Sequence, residues 1–326
     1  MKAVTISNFG PPEEMTISEV PNPENSDHEI LVRVHATALN RADLLQRQGK
    51  YPPPQGESEI MGLEMAGLVH KIGNKVTKWK EGDAVCGLLP GGGYAQLAKV
   101  HEDMAWPVPK GFSMEKAVAI PEVFLTAFQA IRWLADLQKG ERLLIHAGAS
   151  GVGTAAIQIA GALGAHPMVT ASQSKHDFCI ALGATHTIDY KSENFEEIVR
   201  QLTNGKGVNV IMDFIGGPYF QQNLNSLALD GRLVIQGFMG GPNLSDVNLA
   251  PILRKRLKVI GSTLRSRTLD YKIALAKDLY KFAWPLFESG SMKPIVDSVF
   301  DWEEVVKAHQ YMEANKNIGK IVLKVG

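Results

Sequence analysis

In the stretch "ALNRADLLQRQGKYPPP", residues 38 to 54, an amide, a guanidinium, a carboxylate and a phenol stand close together: Asn40, Arg41, Asp43 and Tyr51, with no Cys or His among them. Such a cluster can hydrogen-bond a small polar ligand. A second candidate is "RLLIHAGASGVGTAAIQIAGALGA", which runs from a buried-strand pattern through a glycine turn into a helix of small residues. Glycines there let the backbone turn tightly and approach a pyrophosphate, while the free N–H groups and positive dipole end of the helix hold its charge. Gly148, Ser150, Gly151, Val152 and Gly153 are the residues expected to form that cradle. Residues 148 to 153 read G-x-S-x-x-G, so Ser150 replaces the usual central glycine, and its hydroxyl is expected to donate to a phosphate oxygen. A hydrolase elbow, G-x-S-x-G, would need a second glycine where Val152 stands, and hydrolysis is set aside.

The end of the next strand selects the nucleotide. An acid about 20 residues past the turn binds the ribose 2′-hydroxyl of NAD and repels a 2′-phosphate. That segment is "VTASQSKHD": Ala171, Ser172, Gln173 and Ser174 are uncharged and Lys175 is cationic. Donors and a counter-ion there favour NADPH.

These residues need elements to hold them. At 326 residues and 45% apolar, the chain is long enough for two cores. Residues 1–121 show short β-rich runs broken by Gly and Pro, the pattern of a mostly β domain. Residues 122–268 alternate helical and buried-strand segments, which predicts an α/β domain with a doubly wound parallel sheet of Rossmann type. Residues 269–326 return to helix and strand and are expected to rejoin the first domain. Thirty-four basic and thirty-four acidic residues cancel, so no net field draws the chain to nucleic acid or an anionic membrane. No signal peptide and no spanning run is evident, and the cytoplasm is the expected location. Cys86 and Cys179 lie far apart and read as free structural thiols.

With this layout the chain resembles the medium-chain dehydrogenase/reductase superfamily, whose fold adds a GroES-like catalytic domain to the Rossmann domain. Zinc-dependent members carry an early catalytic Cys and a "GHE" His; here the first position falls in "LNRAD" and the second reads "GLE" at Gly62 to Glu64. No metal is expected. Zinc stabilises an alkoxide, whose conjugate acid has a pKa near that of water, about 15.7. A quinone that accepts hydride leaves a phenolate-like oxygen, with a pKa of roughly 10, for which ordinary donors suffice. The zinc-independent quinone oxidoreductase branch has an Asn and an Asp in the old metal region and a "YPPP" after them, matched by Asn40, Asp43 and Tyr51. By this resemblance the three line the substrate site, with Asn40 and Tyr51 donating to a quinone oxygen and Asp43 orienting neighbours.

"LLPGGGYAQ", "AIPEVFLTAFQ", "LRSR" and "YMEANKNIGKIVL" narrow the resemblance to the tumour-suppressor-inducible quinone oxidoreductases. It implies Thr126, Phe238 and Met239 near the nicotinamide, Ser172, Lys175 and Tyr190 near the 2′-phosphate, and Asn315 as a further cofactor contact. Core packing suits the side chains of Phe238 and Met239 as well as cofactor contact does, and their backbone is the better candidate. The resemblance further implies ortho-quinone substrates, with one-electron products that generate reactive oxygen, and a homodimer joined through strand "LKVIGSTL". Reduction of enals or enones is a close variant. A different class, AU-rich RNA binding or a crystallin-like structural role, finds its hint in Arg254, Lys255, Arg256 and Lys258, but these cations lack interleaved aromatics.

Overall fold

The computed structural model describes all residues, Met1–Gly326, and the chain forms two compact units: Met1–Leu125 with Arg265–Gly326, and Thr126–Leu264.

Unit 1 is built on a seven-stranded sheet. Glu29–Ala38, whose pattern "EILVRVHATA" buries seven of its ten residues, is its centre. Antiparallel to it run Glu64–Ile72, Leu97–His101 and, from the end of the chain, Lys320–Lys324. Two registers fix the neighbours of the central strand's end: Val322 lies opposite Ala38, and Met65 opposite Thr37. They carry Lys320 and Glu64 to the residues beyond Ala38. There the chain turns into helix α1 (Arg41–Arg47), whose first turn is closed by the Asp43 carboxylate accepting the Asn40 N–H at 2.7 Å. That is the reciprocal half of a capping box, satisfying a donor the helix itself leaves free.

Unit 2 has a six-stranded, wholly parallel sheet. Its strands are β1 (Arg142–Ile145), β2 (His166–Ala171), β3 (His186–Asp189), β4 (Val208–Asp213), β5 (Leu227–Ile235) and β6 (Lys258–Gly261), in the spatial order 3-2-1-4-5-6. The order reverses between β1 and β4, and in such sheets ligands bind beyond the strand ends at that point. One face packs Leu144, Met168, Ile188, Val199, Ile211, Leu224 and Leu233 into a continuous core. Strand β6 is the sheet's edge, shorter than the apolar run "LKVIGSTL" suggested.

Met114–Leu134 is long enough, with a mean hydropathy of 1.3, to match a membrane span by length and composition, yet 72% of it is buried within the protein. Its apolar character serves the core. Cys86 and Cys179 are free and buried, and burial pushes the Cys179 thiol up to about 11.

Candidate functional site

The polar cluster of unit 1 is a buried network. Asn40, 8% exposed, spends both amide hydrogens, on Ala38 O at 3.3 Å and Glu64 Oε1 at 2.9 Å. Its Oδ1 accepts from Lys320 Nζ at 2.6 Å. Lys320 also donates to Leu39 O at 2.6 Å and pairs with Glu64 Oε1 at 2.7 Å. The second oxygen of Glu64 accepts the Glu122 N–H at 2.9 Å. Both hydrogens that Asn40 was expected to offer a quinone oxygen are thus held within the protein, by a carboxylate and a carbonyl.

Asp43 is fully buried and accepts from Asn40 N, from Gly62 N at 3.2 Å and from Tyr94 Oη at 3.3 Å. Burial raises its pKa to about 6, against the lowering effect of those N–H donors and of Lys320. The chain of bonds continues from Tyr94 Oη to His309 Nε2 at 3.3 Å and from His309 Nδ1 to Arg47 Nη1 at 3.2 Å. A guanidinium only donates, so His309 Nδ1 is the acceptor and the proton sits on Nε2, facing Tyr94. Burial, with Arg47 adding to it, holds His309 neutral, with its pKa lowered to about 3. Arg47 is itself buried and pairs with Glu313 while donating to Gly10 O at 3.0 Å. Asp43 thus orients Asn40, Gly62 and Tyr94 from a position closed to solvent.

Tyr51 stands apart from this network. Its phenol has no hydrogen-bond partner in the protein, its ring is half-buried, and the Arg265 guanidinium lies 5.3 Å from the ring centre. Burial, with the Glu122 charge adding to it, raises its pKa. Of the three expected substrate residues it is the one with a donor to spare. Asn315 also lies in unit 1, at φ +53°, accepting from Arg41 Nη2 at 2.6 Å.

In unit 2 the glycine turn follows β1 and opens helix α2 (Gly151–Ala162). A Cβ on Gly148 would lie 2.4 Å from Val169 Cβ, and one on Gly153 would lie 2.5 Å from Ala147 O and Gly148 O. Neither position has room for any side chain. Ser150 is the N-cap of α2: its Oγ accepts the Gly153 N–H at 3.0 Å, which leaves the hydroxyl proton free to donate. Gly151 and Val152 form the first turn, where backbone N–H groups have no helical partner. The donor set and the absent side chains fit a nucleotide pyrophosphate.

Ser172, Gln173, Ser174 and Lys175 form the bend after β2, and none is buried. Tyr190, 47% exposed, follows β3. Of the acids near this bend, Asp177 stands in the helix that follows it, and Asp189 pairs in register with Ala171 and accepts from Lys191 N and Ser192 Oγ. Thr126 is half-buried on the helix Pro121–Phe128. Phe238 and Met239 are 55% and 52% exposed, so core packing is not their role. The Met239 N–H is already given to Phe214 O at 2.9 Å, which removes it as a backbone donor.

Behind this surface lies a second buried chain that sequence reasoning missed. His146 meets Thr170 Oγ1 at 3.1 Å through Nδ1 and Asn223 Oδ1 at 2.8 Å through Nε2. Asn223 Nδ2 donates to Asp213 Oδ2 at 3.1 Å, so its oxygen must face His146 and the imidazole proton sits on Nε2. Asp213 in turn accepts from Ile215 N and Gly216 N, pinning the turn after β4. Burial lowers the His146 pKa to about 4 and raises that of Asp213 to about 6.

A family model for zinc-binding dehydrogenases matches residues 151–278, and one for the alcohol dehydrogenase GroES-like domain matches residues 26–110. Quinone oxidoreductase-like protein 2 of Bos taurus is 31% identical over 314 residues, covering 95% of this chain and 89% of that protein. The chain is a medium-chain dehydrogenase/reductase. Among solved structures, the Escherichia coli quinone oxidoreductase complexed with NADPH superposes on this family member with a TM-score of 0.89 at 28% identity, covering 99% of this chain and 100% of that one. The CurK enoyl reductase matches with a TM-score of 0.89 at 28% identity over 100% and 99%.

Although the first family model speaks of zinc, the residues of this dehydrogenase/reductase do not fit the metal. Leu63 is buried where the "GHE" His would stand, and the Lys320 ammonium already occupies the oxygens of Leu39, Asn40 and Glu64. No three His, Cys, Asp or Glu side chains converge as a zinc centre requires.

Proposed function

We propose that this protein is an NADPH-dependent quinone reductase that works without a metal. Unit 2 would hold NADPH, its pyrophosphate on Gly148, Ser150, Gly151, Val152 and Gly153, and its 2′-phosphate on Ser172, Lys175 and Tyr190. When bound, the nicotinamide supplies hydride. Thr126, Phe238, Met239 and Asn315 are the remaining cofactor contacts in this reading. Tyr51 carries the acceptor side: its unpartnered phenol is the donor for the oxygen that becomes negative as hydride arrives, while Asn40 and Asp43 hold the start of helix α1. Ortho-quinones are the substrate class; the hydroquinone formed by hydride transfer comproportionates with unreduced quinone to two semiquinones, each of which passes one electron to oxygen and returns to quinone.

The observation that carries this reading is the bend Ser172–Lys175, which is free of acids and holds a lysine, beside a turn in which Gly148 and Gly153 have no room for side chains. Purified protein mixed with NADPH and 1,2-naphthoquinone should consume 340 nm absorbance faster than a protein-free blank; equal rates would reject the proposal. Enal or enone reduction is the second reading, favoured by the likeness to an enoyl reductase. Turnover of trans-2-hexenal in the same assay separates the two.

A homodimer through the edge strand Lys258–Gly261 and a cytoplasmic location belong to the same proposal. RNA binding gains little support. Lys255 Nζ is occupied by the carbonyls of Asn225 and Leu227 at 2.7 and 2.8 Å, and Arg256 is held by Asp230 through two bonds.

A further inference from the structure

Arg265 opens the returning segment of unit 1, and its side chain has donors left over. The residue is only 8% exposed. Nε donates to Pro90 O at 2.7 Å, which fixes the plane of the guanidinium. Nη1 and Nη2 are buried and have no hydrogen-bond partner in the protein. Asp43, Glu57 and Glu122 act on the group only at a distance, and Tyr51 covers it with a ring rather than an acceptor. The wall beside Nη2 is backbone: a Cβ on Gly91 would stand 3.5 Å from it.

An arginine keeps its charge even here, since the guanidinium does not deprotonate in proteins. A buried charged donor left unpaired is costly, and its natural complement is an acceptor brought by a ligand. Two coplanar Nη groups on one carbon form a fork, and a fork matches two oxygens held close together, on one atom or on adjacent atoms. Oxygens at opposite ends of a ring cannot both reach it.

We propose that Arg265 reads the acceptor: its two Nη groups take two vicinal oxygens of the ligand, as in an ortho-quinone or the catechol it becomes, with Tyr51 giving way over the guanidinium to admit them. The inference rests on the quinone reading and goes further, naming the residue that separates ortho- from para-quinones. It also extends the substrate class to other vicinal dioxygen compounds, 1,2-dicarbonyls among them.

Calorimetric titration under argon with 2,3-dihydroxynaphthalene and with its 2,7-isomer tests this without turnover. The wild-type protein should bind the 2,3-isomer at least about tenfold more tightly, the equivalent of roughly 1.4 kcal/mol. In R265M the two isomers should bind within about twofold of each other, and R265K, which keeps the charge but lacks the fork, should lose most of the preference. If R265M fails to fold by tryptophan fluorescence, R265K decides. A preference absent from the wild type, or unchanged in the variants, would overturn the role of Arg265. NADPH-driven turnover of 1,2-naphthoquinone by the same wild-type preparation keeps the two claims apart. Turnover without vicinal preference rejects only Arg265, and preference without turnover rejects only the quinone reading.

Discussion

Unit 1 buries an ion pair, Glu64 with Lys320, and strings Asn40, Asp43, Tyr94, His309 and Arg47 alongside it. Unit 2 buries a chain headed by a neutral imidazole, Thr170–His146–Asn223–Asp213, and confines its one carboxylate to the end that pins a turn. The difference reflects what each must hold. Around Asn40 three distant segments of chain meet, and a charged pair with many bonds fixes all of them. Around the glycine turn the strand order of the sheet already places the backbone, so the buried chain has only to steady the turn after β4. Charge in unit 1 therefore sets position, whereas in unit 2 position comes from topology.

The sharpest way to break this contrast is Lys320→Met. It leaves the Glu64 carboxylate buried and unpaired, and a loss of about 3–5 kcal/mol is expected in urea unfolding. Adding Glu64→Gln should recover part of that loss. A drop under about 1 kcal/mol would mean the pair is not a fixing element.

Tyr51→Phe tests the other side of unit 1. Because the phenol has no partner in the protein, stability should change by less than about 0.5 kcal/mol. Quinone kcat/KM should fall by about a hundredfold, the scale for losing one oxyanion donor. Equal loss in stability and activity would make Tyr51 a structural residue.

In unit 2, pH separates the two ends of the chain. His146 has a folded pKa of about 4 against 6.5 when exposed, so it contributes fully above pH 6.5 and that contribution is lost as pH falls toward 4. Asp213, raised to about 6 from 3.8, acts in the opposite sense: its burial penalty is relieved as pH falls from about 6 to 3.8. Thermal melts of His146→Gln should therefore lie closest to wild type near pH 4 and furthest below it above pH 6.5, by an amount on the order of 1–3 kcal/mol. A gap independent of pH would contradict a neutral, buried His146.

Ser150→Ala should cost about 1 kcal/mol through the lost cap on Gly153 N–H, read by the same melts. An unchanged melting temperature would leave Ser150 free of any capping role.

Much of unit 2 was legible because its signals are local. Buried strands alternate with helices, and the glycine turn sits between a strand and a small-residue helix, so sequence order alone predicts the site. Even there, the tie from His146 to Asn223 was invisible, since it depends on how β1 and the helix after β4 pack. Unit 1 was legible only as a cluster. Asn40 and Tyr51 were visible as polar residues, but Lys320 reaches Asn40 through strand register across nearly the whole chain, and no spacing reports it. The same holds for His309 and Arg47. Arg265 sits in "LRSR", where it reads as one more surface cation until its burial is known.

The central claim is that unit 2 holds a nucleotide bearing a 2′-phosphate and that its hydride goes to a quinone. The ratio of kcat/KM for NADPH over NADH, measured with 1,2-naphthoquinone and repeated in Lys175→Ala, tests it most directly. A ratio of at least about ten is expected, falling close to one in the variant through loss of a charged hydrogen bond. A wild-type ratio at or below one, or a high ratio untouched by the variant, would contradict it.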